Sequence, residues 1–365
     1  MDGMIMRRRH FLLLLIPFGL CSNVGTRATA QDDGRIRVNV NLVQLNVAVT
    51  DSKGRYISGL NPENFIISED RITQKIATFE EGNGPTRSLI DDSPSADTPL
   101  TPAAIKTVEP GSSRAVHSTG QVEPSQLSGA NVFILFDTSN YMYRGFALAQ
   151  DSIVDFVRSL EDANKVAFYS YSRDLSRSAA LTPNRDLVLR GVRGTVAGDD
   201  AALYNCLLLT VKDTARYTGR KVIVVFSNGP DNASLVPPED VAELAQSTGT
   251  IIYMISTQAA QAEPVSTATF ERMSKATGGK AYFSKSWRDE ARAFASIRDD
   301  LAHLYTFSYY PAANPNQGWR NITVKLAGKD LQKYRVRTRD GYRLLQHAQL
   351  ASGQSSASAI EPDPK

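Results

Sequence analysis

Between residues 130 and 310 two patterns alternate, and together they leave few folds open. Runs such as "NVFILF" (131–136), "KVIVVFS" (221–227) and "TIIYMIS" (250–256) are continuously apolar, as a strand is when both of its faces are buried. The segments between carry apolar residues at helical spacing, with Phe146, Ile153, Phe156, Val157 and Leu160 on one face of "YRGFALAQDSIVDFVRSL". "KVAFYSYS" and "KAYFS" read as further strands, and "LYNCLLLTVKDTARY", "ATFERMSKATGG" and "DEARAFASIRDDLAHLY" as helices. "PPEDVAELAQSTG" has proline at its start and glycine at its end, the limits of a helix. Strands alternating with helices of this length predict a Rossmann-like α/β fold, an open, mostly parallel sheet with helices on both faces.

The flanks read as β. Within 35–81, Ile36, Val38, Val40 and Leu42 alternate with polar residues; then the phase slips, and Val43, Leu45, Val47 and Val49 carry it on. A one-residue slip predicts a bulge or a strand that changes sheet. "DSKG" is a turn signal, and "FIISED" and "QKIATFEE" are two short strands. Residues 82–129 are rich in Pro, Ser, Thr and Gly and read as a flexible linker, in which His117 has no role. Within 311–345, "RNITVKLAG" and "YRVRTRDGYRLL" look like two antiparallel strands, too few for a domain of their own. They are expected to pair with 35–81 in one Ig-like β-sandwich, with the α/β domain inserted between its parts. The other reading is two independent β appendages. Residues 346–365 read as a disordered tail.

Residues 1–30 have the layout of a secretory signal: "MRRRH", an apolar run of about ten residues, then "ATA" before Gln31. The run is too short to span a membrane, so export to the periplasm or cell exterior is expected, with no span in the mature chain. "RRHFL" also fits the twin-arginine pattern. Cys21 follows Leu where a lipobox wants a small residue, and removal of the signal leaves Cys206 alone, so no intrachain disulfide can form. The formal charge of +3 comes from the same segment, whose four arginines face one aspartate. Without it the chain is neutral, with no electrostatic footprint for nucleic acid or anionic lipid.

In an open α/β sheet, ligands bind at the carboxyl ends of the strands, where strand order reverses. Asp137 in "FDTSNYM" ends the first such strand; "AGDDAALY" and "SNGPD" occupy comparable places. Here residues 130–310 resemble a von Willebrand factor A domain. The resemblance implies a metal-ion-dependent adhesion site: Asp-x-Ser-x-Ser after the first strand, Thr from a second loop and Asp from a third. Hydroxyls and carboxylates of that kind suit a hard Mg²⁺ ion. Asp137 and Ser139 match the first two positions. Tyr141 stands where the second Ser belongs, Ala201 in place of the Thr, and Asn228 in place of the Asp. The site is therefore expected to be degenerate. Asp199, Asp200 and Asp231 lie near the vacated positions as candidate replacement ligands. The alternative is that Asp137 and Ser139 only bond the loop and cap the next helix.

The order of "VNVNLVQLNVAVTDSKGRYISGLNPENFIISED", "TGGKAYF", "YYP" and "VRTRDGY" also resembles the von Willebrand A-related secreted proteins abundant in Acidobacteria. That resemblance implies membership, not an activity. Tyr169, Tyr171, Tyr309 and Tyr310 read as packing residues, and Cys206 as a buried small hydrophobe. Of His117, His303 and His347, none is placed to serve Ser139 or Ser227, and no Walker, dinucleotide or zinc spacing is present. The expectation is a non-enzymatic protein without a required cofactor, binding a protein or cell-surface partner through the sheet's top edge at Asp137, Ser139, Tyr141, Ala201 and Asn228. The alternatives are a structural scaffold of the cell envelope, with the α/β domain as a rigid spacer, and Mg²⁺-dependent adhesion if Asp199, Asp200 or Asp231 compensates for the lost ligands. Oligomeric state is not set by the sequence.

Overall fold

The computed structural model describes residues 42–90, 129–160, 164–256 and 264–344. The signal, most of the linker, the tail and the strand segment from Ile36 to Val40 lie outside the described residues. Five strands come first: β1 (Val43–Thr50), β2 (Phe65–Glu69), β3 (Ile72–Thr73), β4 (Ile76–Glu81) and β5 (Arg87–Ser88). There follow β6 (Ala130–Asp137), α1 (Phe146–Ser159), β7 (Lys165–Tyr171), β8 (Leu175–Thr182), α2 (Arg185–Arg193), α3 (Leu203–Thr214), β9 (Arg220–Ser227), α4 (Pro238–Thr248), β10 (Thr250–Ser256), α5 (Pro264–Ala276), β11 (Ala281–Phe283) and α6 (Trp287–His303). The chain closes with β12 (Tyr305–Tyr309), β13 (Trp319–Leu326), β14 (Arg335–Arg337) and β15 (Gly341–Arg343). Among the described residues no helix is long and apolar enough to cross a membrane.

The central sheet has the order β11-β10-β9-β6-β7-β8. It is parallel except for β8, which runs antiparallel to β7. Its apolar runs are continuous because each strand feeds two cores, alternate side chains pointing to opposite faces. Val132, Ile134 and Phe136 pack with Ile153, Phe156 and Val157 of α1 and Phe294 and Ile297 of α6. Phe133 and Leu135 face the other way, onto Leu207 and Val211 of α3, Val241 of α4 and Phe270 of α5. Cys206 is a buried member of that second core. Pro238 opens α4, and Gly249 ends it at φ 70, a left-handed turn that glycine takes without strain. Gly279 in "TGGKAYF" has a steric reason: an added Cβ would lie 2.0 Å from the Ile252 carbonyl oxygen of β10.

The remaining strands form two antiparallel sheets, β14-β1-β12-β4-β5 and β15-β13-β2-β3. N-terminal and C-terminal strands interleave in both. β1 pairs with β12 from Val43↔Tyr309 to Val47↔Tyr305, and β2 pairs with β13 from Phe65↔Leu326 to Glu69↔Ile322. Val43, Leu45, Val47 and Val49 share one core with Phe65, Ile67, Phe79, Phe307 and Ile322. The same strand serves a second core, since Ala48 packs with the α1 and α6 side of the central sheet.

Four details differ from the sequence reading. β12 is the middle strand of the five-stranded sheet, not the end of the α/β domain, because α6 runs into it with only Leu304 between. "YRVRTRDGYRLL" makes two strands in different sheets, β14 and β15. Residues 82–90 continue the fold: Gly82 N–H donates to the Leu304 carbonyl at 2.8 Å, and Arg87 and Ser88 pair with β4. Tyr310, read as a strand packing residue, lies beyond β12 and is 48% exposed.

Candidate functional site

Strand order reverses between β6 and β9, and their carboxyl ends place Asp137 and Ser227 side by side. Asp137 is level with Tyr171 of β7 in the parallel register. All three side chains are buried. Ser227 Oγ donates to Asp137 Oδ2 at 2.7 Å and accepts from the Tyr171 hydroxyl at 3.0 Å and the Gly229 N–H at 3.0 Å. One serine hydroxyl thus uses its donor and both lone pairs. Asp137 Oδ1 accepts the Ser139 N–H at 2.9 Å. Burial pushes the Asp137 pKa above the usual carboxylate value, opposed by the bonds from Ser139 and Ser227 that favour the charged form. Burial, then the nearby Asp137 charge, push the Tyr171 phenol well above its ordinary value.

Three loops close over this centre. Thr138 donates its N–H and hydroxyl to the Tyr171 carbonyl, at 2.7 and 2.8 Å. The second loop is tied to the first by Gly198 N–H to the Thr138 carbonyl, 2.7 Å, and Asn140 N–H to the Asp199 carbonyl, 2.8 Å. From the third loop the Asn228 amide donates to the Tyr141 carbonyl. Met142 turns inward into the core, whereas Tyr141 and Tyr143 are 41% and 74% exposed on a 3₁₀ turn, Asn140–Gly145. Ser139 precedes that turn but makes no capping bond, and its buried hydroxyl has no hydrogen-bond partner.

Two of the three carboxylates named as possible replacements, Asp200 and Asp231, are engaged elsewhere. Asp200 pairs with Arg173, which holds its pKa below the ordinary value, and accepts from the Asn232 amide at 3.2 Å. Asp231 accepts from Tyr204 N–H at 3.0 Å, capping α3, and from Ser234 N–H at 2.9 Å within its own loop. Ala201 is fully buried, its N–H given to Asn232 Oδ1 at 2.8 Å and its carbonyl accepting from Asn232 and Ala233. Ser227 and Tyr171 were not among the expected site residues. The position of Ser227 at the very end of an apolar strand, one before Asn228, was the available signal.

Residues 131–297 match the family model described as von Willebrand factor type A domain. This chain carries a von Willebrand factor type A domain. Comparison with curated proteins finds no match. Similar solved structures include the conserved hypothetical protein BatB from Bacteroides thetaiotaomicron (14% identity, 47% of this chain and 97% of that one, TM-score 0.40). Another is the vWF domain of the type V pili tip protein Mfa5 from Porphyromonas gingivalis (12% identity, 47% and 95%, TM-score 0.40). A third is a von Willebrand factor type A protein from Catenulispora acidiphila (11% identity, 58% and 67%, TM-score 0.42).

The A domain's donor set fits a divalent ion poorly. An octahedral Mg²⁺ ion takes about six oxygens, several of them water. Here Asp137 has both carboxylate oxygens in hydrogen bonds, Asn228 is turned to a backbone carbonyl, and Tyr141 and Ala201 contribute no buried ligand atom. The Ser139 hydroxyl is buried beside Asp137, whose charged form it favours. Among the described residues no group of three or more His, Cys, Asp or Glu is placed to hold a metal ion.

Proposed function

We propose that this is an exported, non-enzymatic binding protein that holds a protein or cell-surface partner against the top of its A domain without a metal ion. One observation carries the reading: the loop over the closed Asp137–Ser227 centre turns two tyrosines, Tyr141 and Tyr143, outward. Tyrosine brings large contact area with little rotamer entropy and is a common interface anchor. The centre beneath acts as a rigid floor that fixes the loop. The non-enzymatic part of the reading rests on the sequence, in which no histidine is placed to serve Ser139 or Ser227. Support for export is the signal-like N-terminus, and we extend the reading to an Ig-like sandwich for the two antiparallel sheets.

A scaffold with the A domain as a spacer is the second reading. It is favoured by the way α6 is fixed: Asp300 takes both carboxylate bonds from Arg337 of β14 at 2.6 Å and one from Tyr253 at 2.5 Å. The test is capture of envelope proteins by the immobilised mature protein, in Mg²⁺ and in chelator, beside a Tyr141→Ser/Tyr143→Ser variant. Binding that survives chelation and is lost in the variant supports the metal-free site. Binding that needs Mg²⁺, or is indifferent to both tyrosines, overturns it.

A further inference from the structure

α1 and α6 lie side by side on one face of the central sheet, and a groove of about 460 Å³ opens between them. Both helices follow parallel strands, so both start at the top edge and run the same way. The floor is apolar, with the Phe156 and Phe294 rings tilted against each other, centroids 4.8 Å apart, and almost fully buried. At the upper end Leu148 and Trp287, one from each wall, are 55% and 57% exposed. Large apolar side chains exposed together over an apolar floor mark a contact surface more often than a solvated one.

The walls carry opposite charges. Asp155 projects from α1 and Arg298 from α6, and neither has an ion-pair partner among the described residues. Asp151, one turn above Asp155, is already paired with Arg193 at 2.7 Å. An acid on one wall and a base on the other is the arrangement that matches itself when the surface is turned by a two-fold axis.

We propose that a second copy of this chain docks on this groove, about a two-fold axis parallel to α1 and α6. In that arrangement α1 of each copy faces α6 of the other, and the two run in the same direction. Trp287 then covers Leu148 of the partner copy. Asp155 lies seven residues below Leu148, and Arg298 eleven below Trp287, an offset of roughly 6 Å at the helical rise that an arginine stem can span. Arg298 reaches Asp155 twice, once in each direction. A foreign amphipathic helix fits the apolar floor equally well, but nothing requires it to meet both unpaired charges.

The axis direction has a functional consequence. It leaves both top edges at the same end of the dimer, so two Tyr141–Tyr143 loops face one surface and raise the effective concentration of the second contact. The dimer itself does not depend on what those loops bind.

The test is the solution mass of the full mature protein by sedimentation and light scattering over a concentration series. The wild type doubles in mass. Asp155→Arg and Arg298→Asp each place like charges together and weaken association by about tenfold or more, and the two combined restore it. Trp287→Ser is monomeric. All of these side chains are exposed, and hydrogen exchange on the wild type gives a check free of variants: protection of α1 and α6 rises with concentration. A monomer at every concentration, exchange that ignores concentration, or reversals that fail to rescue one another overturn the proposal.

Discussion

Glu80 and Arg220 form an ion pair at 2.7 Å with their side chains 3% and 1% exposed, joining β4 of the antiparallel layers to the first residue of β9 in the A domain. Arg220 also donates to the Leu301 carbonyl at the end of α6, at 2.6 Å, and to the Gly82 carbonyl. One guanidinium therefore fixes the sheet, the last helix and the segment after β4. Removing one partner of such a pair leaves the other charge buried and uncompensated, at about 3–5 kcal/mol. Arg220→Ala is expected to lower unfolding stability by that order, and Arg220→Met with Glu80→Gln by much less. Urea titrations of the three proteins check this; equal losses in the single and double variants would show that the charge is not what matters.

The two acids at the β2–β3 turn respond to pH in opposite ways. Burial first, against the nearby Tyr342 and Arg320, raises the Glu69 pKa. Asp70 beside it is held at about 2 by the Asn321 N–H and the Asn314 and Asn316 amides. A depressed acid contributes stability above its unfolded value near 4, and that contribution is lost as pH falls through the folded value of about 2. Asp70→Asn also suits the left-handed backbone there, φ 45, so strain is not added. The variant is expected to be less stable than wild type at neutral pH, with the gap closing on acidification toward pH 2. A gap independent of pH would mean that the side chain acts by packing.

Much of this was legible because burial on two faces leaves an unmistakable apolar run. β6, β9 and β10 were readable for that reason, as was the alternation of Val43, Leu45, Val47 and Val49, since one face of β1 must meet a core. β8 and α2 were not read: β8 is an edge strand with mostly exposed residues, and α2 covers it with only Val188 and Val192 buried. At the site, Asp137 was legible and its environment was not. Nothing local tells that Asp231 turns to the Tyr204 N–H or Asp200 to Arg173, because loop carboxylates are oriented by residues distant in sequence. Tyr171 was read as packing, yet its hydroxyl completes the Ser227 network across two strands.

The network makes a graded prediction. Ser227→Ala removes the donor to a fully buried carboxylate and is expected to cost about 1–3 kcal/mol, the range for leaving a buried polar group unsatisfied. Tyr171→Phe removes a donor from a serine that still bonds Asp137 and Gly229, and is expected to cost about 1 kcal/mol. Denaturant unfolding ranks them, and the reverse order would mean that Tyr171 orients the serine.

On the metal-free reading, the protein is expected to show no saturable heat with Mg²⁺ or Mn²⁺ and no rise in melting temperature with either. Micromolar affinity in calorimetry would overturn the metal-free reading. Asp137→Asn separates the two accounts further. A metal-bound carboxylate would be lost at a stability penalty that grows with added ion, whereas a hydrogen-bonded one keeps a single acceptor in the amide oxygen and loses the other of its two bonds, from Ser139 N–H or Ser227 Oγ, at a penalty of about 1–3 kcal/mol that added ion leaves unchanged.

Truncation after Pro311 tests how far the β layers depend on one another. Deleting the following residues removes β13, the partner of β2 from Phe65 to Glu69, and uncovers Phe65 and Ile67 of the shared core. Glu69 loses Tyr342 and Arg320, its buried partners. The damage also reaches the A domain, because Arg337 is cut away and Asp300, with no exposed surface, loses both guanidinium bonds and is left with Tyr253 and the more distant Lys280 at 3.8 Å among its remaining partners. Limited proteolysis is therefore expected to cut residues 43–81 rapidly in the truncated protein and to open the end of α6 more slowly. Unchanged cleavage of the N-terminal strands would show that β1 and β12 suffice to hold them. Cleavage confined to those strands, with α6 untouched, would show that Asp300 does not need Arg337.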